Sequence, residues 1–134
     1  MKPVFADTSY YAALLSPKDY LHGVAVQRLR QESRPVVVTE FVLLELGNGF
    51  HAEKDRQLFV DFQEQFRDDP NVTVIPASTE LLGAGLKLYR ERVDKEWSLT
   101  DCTSFVVMRR QGLTDALTAD HHFAQAGFRT LLKP

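Results

Sequence analysis

Short runs of β-branched residues alternate along this chain with longer segments of helical apolar spacing, and no other feature constrains the fold as tightly. Strands are expected over residues 3–6, 36–38, 72–75, 116–118 and 129–132. Helices are expected over residues 10–15, 20–31, 40–52, 56–69, 79–93, 99–111 and 121–126. With right-handed crossovers this order predicts an α/β fold of three layers, α/β/α, around a central, mostly parallel five-stranded sheet. Helix faces follow from the spacing. Leu21, Val24, Ala25 and Leu29 share one face, Phe59, Phe62 and Phe66 another, and Leu82, Leu86, Tyr89 and Val93 a third, where Gly83 and Gly85 are tolerated at some expense in helicity. Thr39 suits the N-cap of the helix that follows it.

The length of 134 residues fits one domain spanning 1–134, and 44% apolar with 25% charged residues is the mix of a globular chain. No apolar run approaches the roughly 20 residues that cross a bilayer, so no membrane association is expected. The first residues lack the pattern of a secretory signal and the single cysteine cannot form an internal disulfide, which makes the cytoplasm the expected compartment. Sixteen basic against eighteen acidic residues leave a formal charge of −2, with no positive field announcing a nucleic-acid partner.

Function is sought where a residue contradicts its surroundings. Glu45 sits inside Phe41-Val42-Leu43-Leu44-Glu45-Leu46, where an unpaired buried carboxylate is unfavourable by several kcal/mol. A salt bridge or a narrow exposed stripe would also account for it. Asp7 ends the first strand and Asp120 follows the fourth, which places both beyond the carboxyl ends of parallel strands, where open α/β sheets bind ligands. Either would also serve as a helix N-cap. Asp101 opens the helix after Trp97-Ser98-Leu99-Thr100, where Ser98-x-x-Asp101 is equally a capping box. That helix begins at the same sheet edge, and Glu45 lies six residues past Thr39, about 9 Å along its own helix. Four carboxylates can therefore converge. Their mutual repulsion is relieved by a divalent cation, and all-oxygen ligands favour Mg²⁺ or Mn²⁺ over zinc.

Phe5-Ala6-Asp7-Thr8-Ser9, Thr39 with Val42-Leu43-Leu44-Glu45, Ser98-Leu99-Thr100-Asp101-Cys102-Thr103-Ser104-Phe105 and Leu117-Thr118-Ala119-Asp120 resemble the acidic motifs of PIN-domain ribonucleases. In length and motif order the chain is similar to the VapC-type toxins of toxin–antitoxin pairs. The resemblance implies a PIN-like fold and a metal-dependent endoribonuclease with Asp7, Glu45, Asp101 and Asp120 as catalytic and metal-holding acids, Mg²⁺ or Mn²⁺ as cofactor, RNA as substrate, a small antitoxin protein as partner, and a homodimer. By the same analogy Asp7 and Asp101 are the main metal-holding acids, and hydrolysis leaves a 5′-phosphate and a 3′-hydroxyl. Thr8, Thr100 and Thr118 could add supporting hydroxyls, or be ordinary cap and strand residues.

His122 departs from the pattern, since many relatives carry another acid there. It could meet phosphate or Mn²⁺, or simply start a helix in solvent. Cys102 and Trp97 read as packed residues, and Arg109-Arg110, Arg90, Arg92, Lys95, Lys54 and Arg56 as solvated helix surface. A PIN nuclease of RNA processing without an antitoxin is a nearby alternative. A receiver-like metal-binding module is a more distant one, for which the third strand leads to Pro76-Ala77-Ser78 rather than to a phosphoacceptor aspartate.

Overall fold

In the computed structural model, which describes residues 1–134, the first strand of the chain, β1 (Val4–Ala6), lies at the centre of the sheet. Its residues are completely buried, as an apolar run with a strand on each side and helices on both faces must be. β2 (Val36–Thr39) and β4 (Asp115–Leu117) pair with it, β3 (Val72–Ile75) lies outside β2, and β5 (Arg129–Thr130) lies outside β4. The order is β3-β2-β1-β4-β5 and every pairing is parallel. The chain therefore winds from β1 outward through β2 to β3, then crosses back to β4 on the other side of β1. That reversal makes the carboxyl ends of β1 and β4 the topological switch point, the place where open α/β sheets bind ligands.

The helices are α1 (Thr8–Leu15), α2 (His22–Gln31), α3 (Glu40–Gly49), α4 (Glu53–Arg67), α5 (Thr79–Glu91), α6 (Leu99–Gln111) and α7 (His121–Gln125). None is long and apolar enough to cross a membrane. Thr39 caps α3 as expected, its Oγ1 accepting from Val42 N–H at 3.1 Å. β5 is shorter than expected, yet its hydrogen bonding runs on, with Leu131 N–H donating to Ala116 O and Leu132 N–H to Thr118 O.

The expected faces hold for α4, whose Phe66 is buried and whose Phe59 and Phe62 pack on the core. They fail in part for α2, where Leu29 is exposed, and for α5, where Leu86 and Tyr89 are exposed and Val93 lies beyond the helix end. The inward side of α5 is instead Leu81 and Gly85. A Cβ on Gly85 would stand 2.5 Å from Thr103 Cγ2, so glycine is what lets α5 and α6 approach so closely. Loss of helicity at Gly85 is offset by this contact, which a hydrophobic stripe does not reveal.

At the opposite, amino-terminal edge of the sheet, Asp115 accepts from Arg34 and from Arg129, both at 2.8 Å, and Arg34 also binds Glu32. Burial raises the Asp115 pKa, but the two arginines outweigh it and hold the carboxyl below its usual range. This acidic group is fully occupied in structure, unlike those at the other edge.

Candidate active site

Asp7 stands where β1 ends and occupies the N-cap position of α1, but its side chain makes no capping bond. It turns instead toward β4. Thr118 Oγ1 donates to Asp7 Oδ2 at 2.8 Å and Ser9 Oγ donates to the same oxygen at 3.1 Å. Thr118 is completely buried and its Oγ1 also accepts from Asp120 N–H at 3.0 Å, so one hydroxyl ties the end of β1 to the turn that carries Asp120. The simple cap explanation of Asp7 is thereby excluded.

For Asp101 and Asp120 capping and a site role coexist. Ser98 Oγ accepts from Asp101 N–H at 3.0 Å while Asp101 Oδ2 accepts from Ser98 N–H at 3.1 Å, the capping box anticipated from the sequence. Asp120 Oδ1 accepts from His122 N–H at 2.9 Å at the start of α7. These bonds fix each carboxylate in one orientation. The His122 ring then lies between them, with Nδ1 2.9 Å from Asp120 Oδ1 and 3.6 Å from Asp101 Oδ2. Glu45 is half-buried on α3 and pairs with no basic side chain, so the salt-bridge alternative has no counterpart.

The acids feel one another. Burial, opposed by the bond from Thr118 and helped by the Asp101 charge, raises Asp7 to about 7. Burial likewise raises Asp101, with bonds from Ser98 opposing and the charges of Asp120 and Glu45 adding to it. Asp7, Glu45, Asp101 and Asp120 thus come together from four parts of the chain beyond the carboxyl ends of β1 and β4.

The neighbouring candidates resolve differently. Cys102 is buried and its thiol is pushed up to about 11, which removes the nucleophile reading. Trp97 is packed edge-on against Phe105 and donates its Nε1–H to Gln125 Oε1 at 2.9 Å. Arg110 pairs with Glu80 and Arg92 with Asp94, as solvated helix surface should. Thr8 Oγ1 is shielded without a partner. Ser9 was legible only as part of Asp7-Thr8-Ser9; besides its bond to Asp7, its hydroxyl lies 3.0 Å from that of Thr118, far along the chain.

A sequence profile of the family described as PIN domain matches residues 4–129. The chain belongs to the PIN-domain family. A relative from Mycobacterium tuberculosis, the 23S rRNA-specific endonuclease VapC20, is 32% identical over 126 residues, spanning 93% of this chain and 95% of that protein. The crystal structure of Mycobacterium tuberculosis VapC20, described as a sarcin-ricin loop cleaving toxin, matches with a TM-score of 0.88 at 28% identity, over 97% of this chain and 99% of that one. FitAcB from Neisseria gonorrhoeae shares the fold, with a TM-score of 0.68 at 16% identity over 98% and 97% of the two chains. The PIN-like three-layer fold expected from the sequence is thus the observed one.

Proposed function

We propose that the chain is a Mg²⁺- or Mn²⁺-dependent endoribonuclease of the VapC toxin type, in which Asp7, Glu45, Asp101 and Asp120 hold the metal and carry catalysis. The observation that carries the reading is the proximity of four acids from elements far apart in sequence: the Asp101 charge raises buried Asp7, and the charges of Asp120 and Glu45 raise buried Asp101. The donor set suits a hard divalent ion: carboxylate oxygens dominate, those of Asp7, Asp101 and Asp120 held by hydroxyl or backbone bonds, and the shielded Nδ1 of His122 has no hydrogen-bond partner of its own.

When bound, a divalent ion supplies an acidified water as nucleophile and positive charge for the developing oxyanion. The chain's own residues do the positioning. Thr118 and Ser9 hold Asp7 Oδ2 in one rotamer, and Ser98 holds Asp101 Oδ2, so both carboxylates are oriented before substrate arrives. Glu45, without a competing cation, is free to accept a proton from the attacking water or to orient it. Cleavage on this scheme leaves a 5′-phosphate and a 3′-hydroxyl.

The substrate we favour is ribosomal RNA, because the most extensive likeness reported above is to a 23S rRNA endonuclease. A small antitoxin partner is favoured by the likeness to VapC20, whose structure is described as that of a toxin, and a homodimer and action in the cytoplasm accompany the same reading. Residues 1–134 act in it as one unit. Neutralising four of the eighteen acids leaves sixteen basic residues in slight excess, so the formal charge of −2 does not oppose an RNA substrate.

The test is induced expression in a bacterial host with and without the reading frame next to its own, followed by mapping of new RNA 5′ ends. Growth arrest with discrete new ends in ribosomal RNA, relieved by the neighbouring frame, is expected. Normal growth with an unchanged 5′-end map would contradict the toxin reading.

A further inference from the structure

The acid site contains one atom that its carboxylate chemistry does not use. His122 Nδ1 is shielded from solvent and has no hydrogen-bond partner. It nevertheless lies 2.9 Å from Asp120 Oδ1 and 3.6 Å from Asp101 Oδ2. A nitrogen that close to a carboxylate oxygen without hydrogen-bond alignment is not facing that oxygen. Adjacent donors around a small octahedral cation with bonds of about 2.1 Å are separated by about 3 Å, the spacing of His122 Nδ1 and Asp120 Oδ1.

Local turn geometry accounts for half of this placement. Asp120 Oδ1 caps His122 N–H, which brings the ring beside its own turn. It does not account for the approach to Asp101, which is presented by α6 and clamped there by Ser98. The partly exposed ring bridges acids from two elements while its inner nitrogen stays unsatisfied. Asp120, His121 and His122 also offer ligand atoms that all lie within 4.8 Å of one another. His121 is the exposed member, with Nδ1 3.8 Å from Asp120 Oδ1 and no approach to Asp101 comparable to that of His122.

Accepting the acid site proposed above, on which this inference rests, we infer that His122 Nδ1 is a metal ligand and gives the centre a mixed nitrogen–oxygen character. An imidazole ligand favours Mn²⁺ over Mg²⁺, because Mg²⁺ prefers oxygen and keeps its waters, whereas affinity for nitrogen rises along the transition-metal series. His122 is thus a selectivity residue as well as a structural one, and a chain with an acid at this position has a harder site.

The experiment uses the full chain, loaded with Mn²⁺ alone. Pulsed electron paramagnetic resonance reads imidazole nitrogen coupled to the bound ion, and the free-Mn²⁺ signal titrated with Mg²⁺ as competitor gives both affinities. In the parent protein a nitrogen coupling is expected. His122→Asn removes it and lowers Mn²⁺ affinity by about 10- to 100-fold, with a smaller effect on Mg²⁺. His121→Asn keeps the coupling, and circular dichroism confirms that both variants are folded. His122→Asp restores Mg²⁺ binding without the nitrogen signal.

Bound Mn²⁺ with no nitrogen coupling in the parent protein would overturn the role of His122 and leave the acid site standing. A coupling that survives in His122→Asn and vanishes in His121→Asn would also overturn it. Failure of the parent protein to bind Mn²⁺ would remove the acid-site reading along with this one.

Discussion

Asp7→Asn is expected to reduce metal-dependent RNA cleavage by on the order of a thousandfold while making the metal-free protein more stable above about pH 7. Loss of activity follows from removing a charge at the carboxyl end of β1, beside the other acids. The gain in stability follows from linkage. Burial raises the Asp7 pKa from 3.8 to about 7 in the folded chain. Between those values the unfolded chain has released this proton and the folded chain has kept it, so stability falls as pH rises through the window. The contribution is present below about pH 4 and is lost above about pH 7, a difference on the order of 4 kcal/mol. Asparagine stays neutral, and its carbonyl oxygen can still accept from Thr118 and Ser9. Thermal melts in EDTA across this range, paired with cleavage assays, measure both effects. A variant that is less stable than the parent above pH 7, or that still cleaves, would contradict the account.

The second large effect is on the packing that joins Asp101 to Asp120. Phe105 lies one turn after Asp101 and is completely buried. Its ring meets Trp97 and Phe123 edge-on, each at 4.9 Å between centroids, and Phe128 at 5.7 Å. Phe123 follows Asp120 on α7, so this aromatic cluster sets how the two acid-bearing helix starts face each other. Phe105→Ala is expected to destabilise the fold by about 3–5 kcal/mol, through lost transfer energy and an unfilled cavity. Against a total of about 5–15 kcal/mol for a domain of this kind, that is a large fraction. Phe105→Leu, which keeps most of the volume, should lose much less. Urea denaturation of the two variants measures the difference, and equal midpoints for both would show that the cluster does not carry this load.

Strand positions and the acids were legible in the sequence because each has a local signature. Val36-Val37-Val38 can scarcely be anything but a strand, and Asp7 and Asp120 are marked by following one. Glu45 is marked by the apolar residues around it. What was not legible depends on contacts between distant segments. The inner face of α5 is defined by Gly85 against Thr103, a steric fit that a count of apolar residues misses, while Leu86 and Tyr89 of the apolar stripe are exposed. The bond from Thr118 to Asp7 joins residues at opposite ends of the chain, so the hydroxyl beside Asp120 gave no sign that its carboxylate partner lies on β1. His122 departs from the family pattern at the level of sequence, but only the fold shows its inner nitrogen unsatisfied beside Asp101.

The central claim is that the four acids form a metal-dependent RNA-cleaving centre. Its most direct test is incubation of purified protein with bacterial ribosomal RNA, in Mn²⁺ and in EDTA, with the parent chain and Asp101→Asn side by side, followed by mapping of 5′-phosphorylated ends. Asp101→Asn keeps the side-chain carbonyl that can accept from Ser98 N–H, so folding is retained. New ends are expected only with the parent chain in Mn²⁺. The same ends from Asp101→Asn, or from the parent chain in EDTA, would contradict it.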